Sequence, residues 1–323
     1  MRRNDLELVH FQLTGSCNLR CWFCGQWGKK GFFKESNGTP MAYEDWLNLA
    51  EELTALPQKP DLILWGGEPL MYPQFDELAR HLYDMGFRLG MVTNGTLIHR
   101  HKETLRECFT RIYVSVDGPE TLHDSIRGQG VFRKVAENLA LLRGGNAKIA
   151  INTVLTPALL SDLDGALDAF SQLHPHEVLL QEMIALSPEE IESYRLWLQK
   201  NFHQEASEIA SWESSALWDP NAGEKIAAVT TKRRDPFRVS YLPHGAVWGK
   251  YCTAPSHHAH VTWKGSVCFC TDFYDFSAGN VREKPLLEIL EGTNAEIFRQ
   301  ETQLGQCPTC DHCSWRGSES FRL

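Results

Sequence analysis

A change of hydrophobic period, repeated along residues 6–203, constrains this chain more than any other feature. Short apolar, β-branched runs read as strands: "LELVHFQLT", "DLILWGG", "FRLGMVTNG", "RIYVSVDG", "KIAINTVLT" and "EVLLQEM". Longer stretches with apolar residues at helical spacing follow them, among them "YEDWLNLAEELTAL", "PQFDELARHLYDMG", "LIHRHKETLRECF" and "VFRKVAENLALLR". "LLSDLDGALDAFSQL" and "SPEEIESYRLWLQKNF" continue the series, the latter opening on Ser187, Pro188 and Glu190, a capping box with proline at the first helical position. Such alternation requires crossover connections, and so a parallel sheet with helices outside it. At roughly 30 residues per βα unit, six units need roughly 180 residues, short of the ~250 of a closed eightfold barrel. The expectation is an α/β fold, a partial (β/α)6 TIM-like barrel over residues 1–203, with a doubly wound sheet as the other topology open to it.

Residues 204–250 break the rhythm. They mix Trp212, Trp218, "DPNAG" and "KRRDP" without sustained periodicity and read as a bridge. Residues 251–323 form a smaller α+β segment. "HHAHVTWKGSVCFCTDF" alternates around a Lys264-Gly265 turn like a hairpin, "PLLEILEGTNAEIFRQE" is helical, and "CPTCDHC" closes it. No run of about 18 apolar residues occurs, so no membrane span is expected. A net charge of −9 argues against a broad nucleic-acid surface. The basic stretches "GKKGFFK" and "TKRR" read as solvated loops. The first residues lack an apolar segment before a cleavage site, so no secretory signal is read and a cytoplasmic location is expected.

Ten cysteines in a reducing compartment are not staples. Cys108 stands alone in a helical stretch and reads as a small buried apolar residue. Cys17, Cys21 and Cys24 form C-x3-C-x2-C with Phe23 before the last. They follow the first strand, on the face where parallel α/β folds gather reactive groups. Three thiolates are one short of the four that usually ligate a [4Fe–4S] cluster, which leaves one iron open. Zinc is the competing occupant but needs a fourth ligand. The nearest downstream histidine, His81, lies in a helical stretch remote from the loop.

This triplet, with its aromatic residue and its place after the first strand of a βα series, resembles the radical SAM superfamily. The resemblance implies that S-adenosylmethionine chelates the open iron through its amino and carboxylate groups. "GGEP" (Gly66, Gly67, Glu68, Pro69) resembles the segment that holds the methionine amino group through exposed backbone. "TNGT", with Thr93 and Asn94, and "SVDG", with Ser115 and Asp117, resemble strand ends that contact the ribose and carboxylate. Arg127 of "DSIRG" would pair with the carboxylate through its guanidinium fork, and Asn152 is a candidate for the ribose. Singly, "TNGT" and "SVDG" are turn chemistry, Glu68 a surface carboxylate and Arg127 a solvated loop residue. Their shared order at strand ends favours the functional reading.

Cys252, twelve residues, Gly265, four residues, Cys270 is similar to the signature of the SPASM/twitch extension. The resemblance implies one auxiliary [4Fe–4S] cluster completed by Cys307 and Cys310, with Cys313 competing for a place. A complete SPASM domain has seven cysteines and two clusters; here there are six. Zinc is again the rival occupant. Cys268 is then spare, and Cys268 or Cys313 is a candidate hydrogen donor. His257, His258 and His260 read as a packed or solvated loop.

The implied activity is reductive cleavage of S-adenosylmethionine to a 5′-deoxyadenosyl radical that abstracts a substrate hydrogen, with the auxiliary cluster assisting an oxidation. Relatives act in ribosomal-peptide and sulfatase maturation, so a peptide or protein substrate is favoured. The alternative is a dehydrogenase or epimerase of a small molecule such as an aminocyclitol or sugar. The chain starts almost at its first strand, so an N-terminal peptide-recognition domain is expected to be missing, which weakens the peptide reading without removing it, because a leader could be bound by a separate protein. Flavodoxin or ferredoxin is the expected electron donor. A non-enzymatic reading, an Fe–S electron carrier or a zinc-stabilised binding module, accounts for the cysteines and leaves "GGEP" unexplained.

Overall fold

All six expected strands form, as β1 (Leu8–Thr14), β2 (Asp61–Gly66), β3 (Leu89–Thr93), β4 (Phe109–Ser115), β5 (Lys148–Leu155) and β6 (Glu177–Glu182). The computed structural model describes residues 6–34, 39–214, 219, 221–233, 235–244, 252 and 254–313. Trp218, Arg234 and the residues after Cys313 lie outside that set. Four more strands follow: β7 (Arg238–Leu242), β8 (His258–Val261), β9 (Ser266–Cys268) and β10 (Gly279–Asn280). The sheet order is β10-β9-β8-β1-β2-β3-β4-β5-β6-β7. β8 through β7 are parallel, and no pairing joins β7 to β8 among the described residues, so the barrel stays open. The partial barrel is therefore observed with two parallel strands added beyond the six. β7 comes from the stretch read as a bridge. β8 serves both as the first arm of the hairpin and as a parallel neighbour of β1. Its sequence, "HAHV", lacks the continuous apolar run that marks a buried parallel strand.

Helices cover the outer face: α1 (Tyr43–Thr54), α2 (Phe75–Asp84), α3 (Ile98–Cys108), α4 (Glu120–Arg127), α5 (Val131–Ala140), α6 (Pro157–Ser161), α7 (Leu163–Ser171), α8 (Pro188–Phe202) and α9 (Ala222–Thr230). The Ser187–Glu190 capping box forms at the start of α8. One expected helix splits at Asp162 into α6 and α7, because the Asp162 side chain caps α7 by accepting from Gly165 N–H. The C-terminal segment adds α10 (Ala254–His257), α11 (Leu286–Leu290) and α12 (Thr293–Gln303).

Strand alternation sorts side chains into two layers. In β1, Val9, Phe11 and Leu13 point outward into the main core, where Phe11 meets Trp46 of α1 at 4.9 Å between ring centroids. Leu8, Ile63, Tyr113, Ala150, Leu179 and Leu242 point inward and plug the barrel floor. Two residues further along their strands stand His10, Trp65, Ser115, Asn152 and Gln181. Those five line a cavity of about 270 Å³ above the floor.

The C-terminal segment is locked to the barrel by more than β8. Trp197 of α8 donates to Glu301 of α12 at 2.9 Å, and Glu52 of α1 accepts from the Leu286 and Leu287 N–H groups at 2.9 and 2.8 Å. α11 has no side-chain cap of its own, so Glu52 supplies one across the fold.

Candidate functional site

The loop after β1 brings Cys17, Cys21 and Cys24 to the wall of that cavity. Its shape is fixed by its own residues. Arg20 donates to the Cys17 and Leu19 carbonyls at 2.7 Å each and lies over the Trp27 ring at 4.1 Å. Trp27 in turn donates to the Gly15 carbonyl at 2.7 Å. The Cys17 and Cys24 sulfurs each accept a backbone N–H at 3.4 Å, from Leu19 and Trp27. Burial pushes the Cys17 thiol up to about 11 and also raises Cys21, against the pull of Arg127. Thiols so disfavoured as bare anions suit a positively charged iron core, which takes them as thiolates.

"GGEP" acts first on this loop. Gly67 and Glu68 donate backbone N–H to the Thr14 and Ser16 carbonyls, both at 2.8 Å. A Cβ on Gly67 would lie 2.2 Å from the Ser16 oxygen, and Gly66 holds φ at +154° with its Cβ position 2.4 Å from the Thr14 oxygen. Only glycine admits this approach. The Glu68 carboxylate is fully buried and accepts from Thr93 Oγ1 at 2.7 Å, Asn94 N–H at 2.8 Å and Leu70 N–H at 3.1 Å. Burial raises it to about 7 despite those donors. Asn94 reaches on to Asn18 Oδ1 at 2.9 Å and to the Cys17 sulfur at 3.9 Å. Glu68 therefore ties the ends of β2 and β3 to the cysteine loop.

Arg127, the last residue of α4, lines the cavity with Asp117 behind it, the Nε–Oδ2 distance being 2.5 Å. The other Asp117 oxygen accepts from Val154 N–H at 3.1 Å. Burial opposes the Arg127 charge, but the charge of Asp117 more than offsets it, and the proton is held more firmly than usual. Ser115 and Asn152 are register partners across β4 and β5, side by side at the wall. Asn152 Oδ1 is buried with no hydrogen-bond partner, an acceptor left for something that fills the cavity. Gly66, Gly67, Thr93, Asn94, Ser115, Arg127 and Asn152 thus share one cavity with the three cysteines, while Glu68, Pro69 and Asp117 stand behind its wall.

The cavity also contains residues that sequence reasoning missed. Trp65 and Gln181 had a signal, since they lie two positions beyond floor residues on their strands. Asp272, two residues past Cys270, had none. Burial raises Asp272 to about 6. Glu182 accepts from the Tyr241 hydroxyl and from His244 N–H at 2.6 Å. Tyr274 and Trp212 complete an aromatic flank.

A second cavity of about 40 Å³ adjoins the first, and His10 and Thr271 line both. Cys252, Cys270, Cys310 and Cys313 line it, and Cys307 is hydrogen-bonded to Cys310. Burial, then the neighbouring Cys307, Cys313 and Cys252, push the Cys270 thiol well up. Among the described residues no three His, Cys, Asp or Glu side chains converge on a single-ion point. Four of these thiols line one cavity, and thiolates are the donors that hold iron–sulfur clusters. Cys268 is fully buried and donates to the Cys270 carbonyl at 3.6 Å, away from both cavities. His260 stacks on His10 with ring centroids 5.7 Å apart and lines the second cavity. Burial lowers both imidazoles, His10 to about 3, so both are neutral.

No helix among the described residues is long and apolar enough to cross a membrane. The pattern that defines the radical SAM superfamily matches residues 11–168, and that of the SPASM iron–sulfur cluster-binding domain matches residues 252–314. The chain is 29% identical to an AdoMet-dependent heme synthase of Methanosarcina barkeri, covering 96% of this chain and 89% of that one. It is 24% identical to a tungsten-containing aldehyde ferredoxin oxidoreductase cofactor-modifying protein of Pyrococcus furiosus, covering 98% and 89%. Its fold is similar to that of anSMEcpe with bound AdoMet and a peptide, at a TM-score of 0.67 and 18% identity, covering 98% and 91%. The cysteine triplet, the C-terminal thiols and these matches make the chain a member of the radical SAM superfamily, in its SPASM-domain subgroup.

Proposed function

We propose that this radical SAM enzyme oxidises a small molecule on the way to a prosthetic group, an iron porphyrin being the first candidate. The observation that carries the oxidative part is the adjacency of the two thiol-lined cavities, which share His10 and Thr271. When bound, the cluster on Cys17, Cys21 and Cys24 with S-adenosylmethionine supplies a 5′-deoxyadenosyl radical for hydrogen abstraction. Gly66 and Gly67 offer backbone to the methionine amino group. Arg127, backed by Asp117, takes the carboxylate, and Ser115 with Asn152 takes the ribose. A substrate that loses a hydrogen atom and then an electron is left one positive charge up, which it sheds as a proton or, beside a carboxylate, cancels by releasing CO2. Asp272, held at about 6 and lining the cavity, accepts a departing proton. Cys252, Cys270, Cys310 and, hydrogen-bonded to Cys310, Cys307 would hold the auxiliary [4Fe–4S] cluster, which would supply an electron acceptor, with Cys313 beside them. A flavodoxin or ferredoxin would be the electron donor.

Among substrate classes, two relatives matched over 89% of their length favour the small molecule over the peptide. Both are named for making or modifying a prosthetic group. The aromatic flank of Trp65, Trp212 and Tyr274 suits a flat ligand. The test uses anaerobically reconstituted full-length protein with S-adenosylmethionine, a reductant and an iron porphyrin bearing propionate side chains. Mass spectrometry should find 5′-deoxyadenosine and oxidised porphyrin rising together. Steady cofactor cleavage with unaltered porphyrin would remove porphyrins as the substrate class.

A further inference from the structure

The histidines of β8 have no part in the mechanism above, yet one of them is buried in the wall between the two cavities. His260 lies opposite His10 in the β1–β8 register, and the two rings stack at 7°. Trp65 meets the His260 ring edge to face at 4.6 Å and Tyr274 approaches it at 5.4 Å. His260 is 1% exposed, and neither ring nitrogen has a hydrogen-bond partner. A neutral imidazole carries one N–H donor and one acceptor, and folded interiors rarely leave both unused. The aromatic neighbours offer little to an N–H. What His260 does share is a cavity with Cys252, Cys270, Cys310 and Cys313.

We propose that His260 donates a hydrogen bond to a sulfur of the auxiliary cluster or of its ligands, and thereby sets the potential at which that cluster accepts the substrate's electron. The inference rests on the reading that the C-terminal thiols hold the auxiliary cluster. An N–H aimed at a cluster sulfur stabilises the reduced form, which carries the extra negative charge, and so raises the potential. His260 is a positioning residue here: it touches the cluster's sulfur and never the substrate. Its place on β8, the strand that joins the hairpin to β1, fixes the donor relative to both cavities.

The test uses the full chain with Cys17→Ala, Cys21→Ala and Cys24→Ala, so that only auxiliary iron remains, reconstituted anaerobically and titrated by EPR. His260→Phe should lower the equilibrium constant for reduction about tenfold, about 59 mV for a one-electron couple. His260→Gln, which keeps an N–H donor, should recover most of that shift. Histidine ¹⁵N label should show hyperfine coupling to the reduced cluster with His260 present and lose it in His260→Gln. If about four irons per chain bind and the potential and coupling are the same in all three proteins, the inference fails while the cluster assignment stands. If no iron binds with His260 intact, the cluster assignment fails and takes the inference with it. Should His260→Phe not load iron, the nitrogen coupling decides alone.

Discussion

Arg127 carries its charge to the cavity wall because Asp117, fully buried, neutralises it from behind at 2.5 Å. Removing only the charge of that partner leaves a buried cation uncompensated. Asp117→Asn should therefore destabilise the fold by about 3–5 kcal/mol, measurable by urea denaturation of the apo chain; a loss under about 1 kcal/mol would mean that Arg127 finds another partner. Glu208 presents the opposite situation. Burial, and then the charge of Asp275, raise its carboxyl to about 7, and its Oε2 has no hydrogen-bond partner. From about pH 4.5 to 7 the folded chain keeps a proton that the unfolded chain has given up, so stability falls as pH rises through that window. Glu208→Gln removes the ionisation, and its gain in melting temperature should be larger at pH 8 than at pH 5. Equal gains at the two pH values would show that Glu208 is not the titrating group.

The cysteine loop depends on the turn beneath it. The Thr14 and Ser16 carbonyls accept from the Gly67 and Glu68 N–H groups, with no room for a side chain on Gly66 or Gly67 between the two strands' ends. Gly67→Ala would drive its Cβ into the Ser16 carbonyl. Iron content should fall from about eight to about four per chain, with far-UV circular dichroism unchanged because Gly67 and Ser16 lie just past the ends of β2 and β1. Full iron retention would show that the turn can yield. α11 depends on a cap borrowed from α1. Glu52→Ala leaves the Leu286 and Leu287 N–H groups without their acceptor and should cost about 1 kcal/mol. Hydrogen exchange at those two amides should rise ahead of the β1–β6 core. Protection equal to that of the core would assign the capping to something else.

In the whole molecule, the open barrel places two sulfur-lined cavities side by side because β8 continues the sheet past β1 while its hairpin presents Cys268–Cys270 beyond it. With Cys270→Ala and Cys310→Ala, S-adenosylmethionine cleavage should persist, iron should drop to about four per chain, and substrate product should fall by roughly tenfold or more. Undiminished product would separate the second cavity from the chemistry. The six βα units, the cysteine triplet and the hairpin around Gly265 were readable in advance, since each is written in local period or spacing. β7 escaped because its stretch lacks periodicity, and β8 was read as a hairpin arm while its parallel pairing with β1, set between segments far apart in the chain, was not. Glu68 reads from sequence as a surface carboxylate or a cofactor contact; the fold buries it as the acceptor that joins β2, β3 and the cysteine loop. Asp272 and His260 entered the cavities without any local signal. Sequence alone determined the parallel α/β plan and the chemical identity of the sulfur donors, because both follow from residues near one another in the chain. Tertiary structure alone decided which groups share a cavity and which are spent holding others in place, because burial and partnership arise between segments far apart in sequence.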